Sequence, residues 1–308
     1  MIRFLLVSMF SLSLLFAGCD DNDSDNDEGI DVDVDGMTAV QSSSSVDATV
    51  SSLQNALQAN DAISIVETVN HSANAQNAGL TLRATQVILF GNPQLGTPLM
   101  QENQTAGIDL PQKFLVYQDE NDSVIIGYNN PQYVANRHGI SGQDEILNTI
   151  SSALSGLAEN AAGMPVQVNN DNDVEAGEGL ISVQSDFSVD STFLNLQAAI
   201  NANDALTVMA ELDHQANAAN VDMELHPTRV LMFGNPNLGT PLMQSGQTIG
   251  IDLPQKVLIY EDANGDVFLV YNDPFYLADR HDIEDQGDVL DTISNALQNL
   301  ATAATSSQ

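Results

Sequence analysis

The sequence predicts an α+β fold made of two tandem copies of one compact domain, each with an antiparallel sheet and two main helices. First, the chain has 308 residues, which suffices for about two domains of ordinary size. Second, hydrophobic residues make up 43% of it, enough to form cores. Third, the chain repeats itself at a constant offset of 143 residues, and roughly half of the paired positions are identical. Because only two copies of about 120 residues exist, they are globular domains and not a solenoid.

The first half of each copy predicts one helix and two strands. Ser45 is an N-cap candidate for an amphipathic helix, and a strand is predicted at 63–69. A second strand at 87–90 runs into Gly-Asn-Pro at 91–93, where we expect a turn. The same features recur 143 positions later in the second copy.

The second half of each copy predicts a hairpin between helices. Thr97-Pro98 has the pattern of an N-cap followed by proline at the first helical position. Strands at 114–117 and 124–128 are joined by a polar turn, which in the second copy contains Asn-Gly, the signal of a type I′ hairpin. A last helix carries apolar residues at helical spacing over 146–157. Strands and helices in this order favour an antiparallel sheet with helices on one face.

The N-terminus has the pattern of a secretory signal that ends at a lipidated cysteine. Arg3 is followed by a short apolar run, and Leu15-Phe16-Ala17-Gly18 stands directly before Cys19, the single cysteine of the chain. This looks like the lipobox of bacterial lipoproteins, which implies acylation of Cys19 and anchoring in a lipid bilayer. Asp20 resembles the signal for retention at the inner membrane of the envelope. We therefore expect an envelope protein on the periplasmic side of that membrane.

Two acidic, polar stretches separate the predicted parts. One follows Cys19, and like-charge repulsion predicts an extended, solvated tether. The predicted organisation is a signal peptide at 1–18, an acidic tether at 19–36, a first domain at 37–160, an acidic linker at 161–179, a second domain at 180–303 and a tail at 304–308. We also expect that the two copies can pack on each other as a pseudo-symmetric pair.

Several strings within the copies are similar to a known family. Phe-Gly-Asn-Pro-x-Leu-Gly-Thr-Pro-Leu-Met-Gln, Gly-Ile-Asp-Leu-Pro-Gln-Lys, Tyr-Asn-(Asn/Asp)-Pro and Arg-His occur in both copies. They resemble the domain of unknown function 302 (DUF 302) family over essentially the whole of each copy. The resemblance implies a compact α+β domain with a TATA-binding-protein-like arrangement of strands and two helices. It implies no activity, because the family has no agreed function.

Charge excludes whole classes of partner. The chain has 42 acidic residues against 7 basic ones, a formal net charge of −35. Nucleic-acid binding requires clustered Lys and Arg, so we expect no nucleic-acid partner. A single cysteine excludes an intrachain disulfide and a multi-cysteine zinc site. The sequence predicts no cofactor and no metal.

The rare basic residues occur in pairs, and two interpretations fit them. Lys113 and Arg137, with their counterparts, are fixed partners for buried carboxylates such as Asp109, since a charge is rarely buried unpaired. Alternatively, Arg137, His138 and Lys113 line a small pocket in each domain that receives an anionic or polar ligand. A metal pair of His71 and His138 is a further alternative, although no short ligand spacing such as His-x3-His supports it.

Other paired residues complete the candidate set. Gly91-x4-Gly96 has the glycine spacing of a phosphate loop, but Thr97 replaces the required lysine, which excludes nucleotide hydrolysis. A helix starting at Thr97 would still offer free N–H groups to an anion. The candidate ligand-binding residues are His71, Asn92, Thr97, Asp109, Lys113, Tyr133, Arg137, His138, His214, Asn235, Thr240, Asp252, Lys256, Tyr276, Arg280 and His281.

The sequence favours a non-catalytic module that binds a small ligand or an envelope protein. No Gly-x-Ser-x-Gly elbow occurs, and the cysteine is committed to lipid, so nucleophilic catalysis lacks support. The alternative is an envelope enzyme that uses His71, His138 and Asp109 with their counterparts as an acid–base site. A third possibility is a purely structural envelope protein without a pocket.

Overall fold

The computed structural model describes residues 30–306; the predicted signal peptide, Cys19 and most of the tether lie outside this range. The elements of the first copy, in chain order, are β1 (Met37–Ser42), α1 (Val46–Gln58), β2 (Ser64–Asn70), α2 (His71–Asn77), β3 (Thr85–Gly91), α3 (Pro93–Glu102), a 3-10 turn (Gln104–Ile108), β4 (Gln112–Gln118), β5 (Val124–Asn129), α4 (Pro131–Arg137) and α5 (Asp144–Ala162). A short strand, β6 (Val168–Asn169), lies in the connecting segment.

The second copy repeats this order. Its elements are β7 (Leu180–Ser185), α6 (Val189–Asn201), β8 (Thr207–Asp213), α7 (His214–Ala219), β9 (Thr228–Gly234), α8 (Pro236–Ser245), a 3-10 turn (Gln247–Ile251), β10 (Gln255–Glu261), β11 (Val267–Asn272), α9 (Pro274–Arg280) and α10 (Gly287–Thr305). The predicted α+β class in two tandem copies is confirmed. The short elements β1, α2 and α4 and their counterparts were not predicted.

Each copy builds one antiparallel sheet. The strand order is β2-β3-β4-β5-β1-β6 in the first sheet and β7-β11-β10-β9-β8 in the second. The predicted hairpin is β4–β5, in which Leu115 lies opposite Gly127. The N-terminal strand β1 extends the sheet by pairing with β5, and its counterpart β7 pairs with β11 as an edge strand of the second sheet.

The two sheets pack face to face, with the helices outside, so the molecule has four layers. Alternate residues of one strand therefore enter different cores: Ile88 and Phe90 face α1 and α5, whereas Val87 and Leu89 face the other copy. The central core also contains Leu258 of the second sheet. Because both sheet faces are buried, central strands such as β3 and β5 contain continuous apolar runs without an alternation of polar residues.

The ends of the tether and the linker belong to the fold. Val32 and Val34 are buried in the central core, and Asn170 of the linker donates Nδ2 to both of their carbonyls, at 2.7 and 3.0 Å. The linker also supplies β6, which pairs with β1. The expected solvated spacer therefore does not continue to Gly36, because its last apolar side chains cover the space between the sheets.

The predicted helix start at Thr97 is wrong, and so is its counterpart at Thr240. The helix α3 begins at Pro93, where Asn92 is the N-cap and its side chain accepts from the backbone N–H of Gln94 at 2.9 Å. Pro98 lies inside the helix. Asn92-Pro93, expected as a turn, is thus itself the helix start, and Thr97 offers no free N-terminal N–H groups for an anion.

Candidate functional site

The short helices α2 and α7 connect the two copies through their first residues. His71 begins α2, capped by Asn70, and its Nε2 donates to the carbonyl of Gly250 at 3.3 Å. His214 begins α7 and donates to the carbonyl of Gly107 at 3.2 Å. Burial lowers the pKa of both histidines to about 4, against the smaller opposing effect of these hydrogen bonds. Both rings are therefore neutral at pH 7 and tie each copy to the other.

A cavity of about 420 Å³ lies in the first copy beneath α7 of the second. Its walls are mainly apolar: Phe90, Leu110, Ile150, Leu154 and Leu157 line it, and His214 and Asn217 complete it. Two polar atoms in this wall, Thr97 Oγ1 and Gln112 Nε2, are buried and have no hydrogen-bond partner among the described residues. Such groups are costly to bury unpaired, so they mark where a polar atom of a ligand or a water is expected.

The equivalent cavity of the second copy is much smaller, about 70 Å³, and is completed by His71 and Asn74 of the first copy. One paired position contributes to the difference. Met209 lines the smaller cavity where the shorter Val66 lines the larger one. The Met209 methyl group reaches within 3.3 Å of where a Cβ would stand on Gly234. The longer side chain therefore occupies space that is open in the first copy.

A second group of polar residues lies buried between the sheets, and we call it the central cluster. In the first copy Arg137 Nη1 and His138 Nε2 both donate to Asp109 Oδ2, at 2.8 and 2.9 Å. Arg280, His281 and Asp252 repeat this arrangement at 2.8 and 2.9 Å. Arg137 and Arg280 thus each pair with a buried carboxylate, as one of the two interpretations of the paired cations expects.

Burial and the neighbouring charges set the protonation of Asp109, Asp252 and His281 in the central cluster. Burial would raise the pKa of Asp109, but Arg137, His138 and Lys113 outweigh it and hold the pKa well below its usual range. The same balance holds at Asp252. Burial lowers the pKa of His281, so that this ring is neutral at pH 7.

The arginines of the central cluster cross the domain boundary. Arg137 donates to Asn272 Oδ1 at 2.8 Å and to the carbonyl of Glu178 at 3.1 Å. Reciprocally, Arg280 donates to Asn129 Oδ1 at 2.9 Å and, through two nitrogens, to the carbonyl of Asp35 at 3.0 and 2.8 Å. The reciprocal pairs relate the copies by a pseudo-twofold axis.

The tyrosines mark this axis. The hydroxyl oxygens of Tyr133 and Tyr276 are 2.6 Å apart, and each ring lies beneath the guanidinium of the other copy. Burial raises the pKa of both tyrosines, which keeps them neutral. Gly36 and Gly179 are required here, because each has a positive φ and a Cβ would overlap a tyrosine ring.

The structure thus divides the predicted site residues between two places. His71, Asn92 and Thr97, or their counterparts, line the cavities. Asp109, Lys113, Tyr133, Arg137 and His138, with their counterparts, form the central cluster and line neither cavity. The expected pocket formed by Arg137, His138 and Lys113 is therefore replaced by a buried ion-pair network.

Several residues of the cavities and the central cluster are not among the candidates that the sequence predicted. Asn129 and Asn272 stand in the repeated Tyr-Asn-(Asn/Asp)-Pro string, so their pairing was visible, but their contact with the opposite arginine was not. Gln112 stands beside the paired Lys113 and is identical in both copies. Val66 and Met209 are a paired position at which the two copies differ, and this difference is the feature of the sequence that could have identified them.

Residues 30–306 contain neither a cluster of metal-binding side chains nor a helix that could span a membrane. Within residues 30–306, no group of three or more His, Cys, Asp or Glu side chains is arranged to hold a metal ion. In the same range, no helix combines the length and apolarity needed to cross a bilayer.

Comparisons with known proteins match both copies. A family model described as "Domain of unknown function DUF302" matches residues 38–157 and 181–300. Two curated proteins named "Fluoride-specific ion channel FluC 1", from Brucella suis biovar 1 (strain 1330) and Brucella abortus biovar 1 (strain 9-941), are each 41% identical over 111 residues. The match covers 36% of this chain and 43% and 41% of those proteins, so it spans about two fifths of their length.

One solved structure is also similar. It is described as the crystal structure of an uncharacterized conserved protein DUF302 from Bacillus stearothermophilus. The sequence identity is 22% and the TM-score 0.38, with 41% of this chain and 98% of that chain covered.

Proposed function

The chain belongs to the DUF302 family in both of its halves, and on this premise we propose that it is a non-catalytic module that binds a small, mainly apolar molecule. The observation that supports the proposal is the cavity of about 420 Å³ in the first copy. Its size is within the range of small-molecule sites, which are typically apolar with a few polar groups that orient the ligand.

The wall of the cavity defines the chemistry of its ligand. Apolar side chains from β3, α3 and α5 would bury a hydrocarbon or aromatic body, whereas Gln112 Nε2 offers a hydrogen-bond donor and Thr97 Oγ1 can donate or accept. The formal net charge of −35 disfavours an anion at this partly open site. A neutral molecule with one hydroxyl or carbonyl oxygen fits better than the polar or anionic ligand expected from the sequence.

The geometry of the histidines favours binding over acid–base catalysis. His71 and His214 are neutral donors committed to backbone carbonyls. His138 and Asp109 lie in the central cluster, apart from the cavities. The enzyme alternative requires His71, His138 and Asp109 to act on one substrate, whereas His71 lines the smaller cavity and His138 and Asp109 line neither of the two cavities.

A pair of reciprocal substitutions tests the proposal, with 2-naphthol as a neutral, fluorescent probe that carries one hydroxyl. The full chain should bind one probe molecule. Val66→Met should weaken binding tenfold or more, because the longer side chain fills the large cavity. Met209→Val should instead add a second binding event by opening the small cavity. Fluorescence titration measures both the affinity and the stoichiometry.

The two variants control for each other, because each exchanges the same two residues at equivalent positions. Circular dichroism and the thermal midpoint establish that both remain folded. Equal affinity and stoichiometry in the wild type and both variants would contradict binding in the cavity. The purely structural alternative predicts no binding in any of the three proteins.

The lipobox-like segment supports the second part of the proposal, that the protein is a lipid-anchored envelope protein. Acylation at Cys19 would place the two domains at the membrane surface, where a small ligand or an envelope protein is the partner. Asp20 favours the periplasmic side of the inner membrane. The channel activity in the names of the Brucella proteins belongs to proteins of which this chain matches about two fifths, so the proposal does not include it.

Replacing the cysteine tests the anchor. Cys19→Ala should move the protein from the membrane fraction to the soluble fraction and abolish incorporation of a labelled fatty acid, because the acyl chains supply the membrane affinity. Asp20→Ser with Cys19 kept is the matched control, and it should retain the label because the acylated residue is unchanged. If Cys19→Ala retains the label and the membrane location, acylation at this residue is ruled out.

A further inference from the structure

The chain contains only two lysines, Lys113 and Lys256, and both are buried at the centre of the molecule. They are the second residues of the equivalent strands β4 and β10. Lys113 Nζ is 4.0 Å from Asp109 Oδ1 and 3.8 Å from Asp252 Oδ1, and Lys256 Nζ is 3.7 Å from Asp252 Oδ1. These separations exceed hydrogen-bond length, so neither ammonium group is satisfied by a carboxylate.

A third unpaired donor lies beside them. Continuing the register of Leu115 opposite Gly127 by two residues places Lys113 opposite Asn129, on the same face of the sheet. Asn129 Nδ2, Lys113 Nζ and Lys256 Nζ are all buried without a hydrogen-bond partner in the described part of the chain. Their unmet requirement is an acceptor, because all three are donors.

The net charge of the central cluster also favours an anion as the missing acceptor. Lys113, Lys256, Arg137 and Arg280 are four cations around the two carboxylates of Asp109 and Asp252, which leaves a formal excess of two positive charges. The rest of the chain is strongly acidic, so this excess is opposite in sign to the protein as a whole. Buried charge is tolerated when it is paired, and here two cations lack a full partner.

We propose that Lys113 and Lys256 together bind one small inorganic monovalent anion, of the size of chloride, near the pseudo-twofold axis. Each copy supplies one lysine, so the site exists only when the copies are packed together. A monovalent ion halves the excess of two positive charges without setting two negative charges beside the carboxylates. This site is separate from the cavities, and its test does not depend on the proposed function.

An alternative way to relieve the excess charge is loss of a proton from one lysine. Burial, followed by the charge of Lys113, lowers the pKa of Lys256 to about 7, and Asp252 and Asp109 oppose this effect only in part. A bound anion would keep both lysines protonated well above pH 7. The two possibilities therefore differ in a measurable protonation state.

Anion exchange at constant sodium concentration tests the proposal on the full chain. Replacing sodium gluconate with sodium chloride leaves the screening of surface charge unchanged, because the ionic strength is the same. Chloride should raise the thermal midpoint, and at a tenfold excess over its dissociation constant it should raise the ratio of folded to unfolded protein about elevenfold. The Lys113→Met/Lys256→Met variant should lose this difference, whereas Arg83→Met, which removes an exposed cation, should retain it.

Two measurements on the unaltered chain serve if the double variant does not fold. Crystals soaked in bromide should show one anomalous peak within hydrogen-bonding distance of both Nζ atoms. With ¹⁵N-labelled lysine the chain gives only two side-chain signals. Both should remain ammonium signals at pH 8 in chloride, and one should titrate near pH 7 in gluconate. Equal melting in the two salts, a water in place of bromide, or the same titration in both salts would overturn the proposal.

Discussion

Two buried histidines illustrate how a single residue type serves as a neutral connector. His71 and His214 each stand at the first position of a helix and donate a hydrogen bond to a backbone carbonyl of the other copy. A neutral imidazole ring can donate this bond without carrying a charge. Burial makes the protonated form unfavourable, which is why their pKa is lowered to about 4. The pairing of these histidines was visible in the sequence, but their burial and their carbonyl partners depend on the packing of the copies.

The first prediction concerns the stability of the protein in acid. A pKa of about 4 in the folded state lies below the ordinary value of 6.5, so the unfolded chain binds more protons between these values. The stabilisation is fully present above pH 6.5 and is lost as the pH falls towards 4. Between pH 7 and pH 5 each histidine should cost about 2 kcal/mol of unfolding free energy.

The matched variant is His71→Gln/His214→Gln, which keeps a donor at the position of Nε2 but does not titrate. Urea unfolding at pH 7 and pH 5 should show that the variant loses about 4 kcal/mol less than the wild type over this interval. His281 and the surface carboxylates titrate in both proteins, so their contributions cancel in the comparison. An equal loss in both proteins would show that the two histidines do not carry the effect.

At the scale of elements, asparagine or aspartate followed by proline starts a helix at each equivalent place. Asn92-Pro93 starts α3, Asn130-Pro131 starts α4, and the second copy repeats both starts. In each copy the sequence predicted four strands, which are β2 to β5 in the first copy, and the two long helices, because burial imposes apolar patterns on them. It did not predict the first strand, β1. It did not predict α2 and α4, which have seven residues each and little periodicity, and it misplaced the start of α3. Asn-Pro is a turn signal and a helix-start signal, and only the following contacts distinguish the two.

The second prediction separates the real N-cap from the expected one. Asn92→Ala should lower the unfolding free energy by about 1 kcal/mol, because the backbone N–H of Gln94 loses its acceptor. Thr97→Val should leave stability unchanged or raise it, since Thr97 Oγ1 is buried without a partner in residues 30–306 and valine has the same shape. Chemical denaturation of the ligand-free protein measures both. A larger loss for Thr97→Val than for Asn92→Ala would restore Thr97 as the helix start.

At the scale of the whole molecule, the tandem chain is an internal pseudo-dimer. The central core is formed by both sheets, each cavity is completed by a helix of the other copy, and each central arginine contacts the other copy. The central cluster takes Lys113, Lys256, Arg137 and Arg280 out of solvent, so within residues 30–306 the lysines and arginines left for the surface are Arg83 and Arg229. The repeat revealed the two copies, but no pattern within one copy shows which face meets the other.

The last prediction is that one copy alone forms a homodimer. A chain of residues 30–163 would expose the sheet face that carries Met37, Leu89 and Leu115, all buried in the central core of the intact protein. Burying an apolar face of this kind is strongly favourable, and the pseudo-twofold relation means that a second molecule offers the complementary face. Arg137 would then donate to the carbonyl of Asp35 in the second molecule, as Arg280 does in the tandem chain.

Size-exclusion chromatography with light scattering should therefore give twice the mass of residues 30–163. Leu115→Asp provides the control, because a carboxylate in this face would have to be buried without a partner on dimerisation. That variant should elute as a monomer or fail to stay folded. A second control lies on the other side of the sheet. Leu157 is partly buried among the helices and lines the cavity, so Leu157→Ala should leave the dimer intact. A stable, folded monomer of the unaltered copy would contradict the dependence of each copy on the other, because its apolar sheet face would then be tolerated in water.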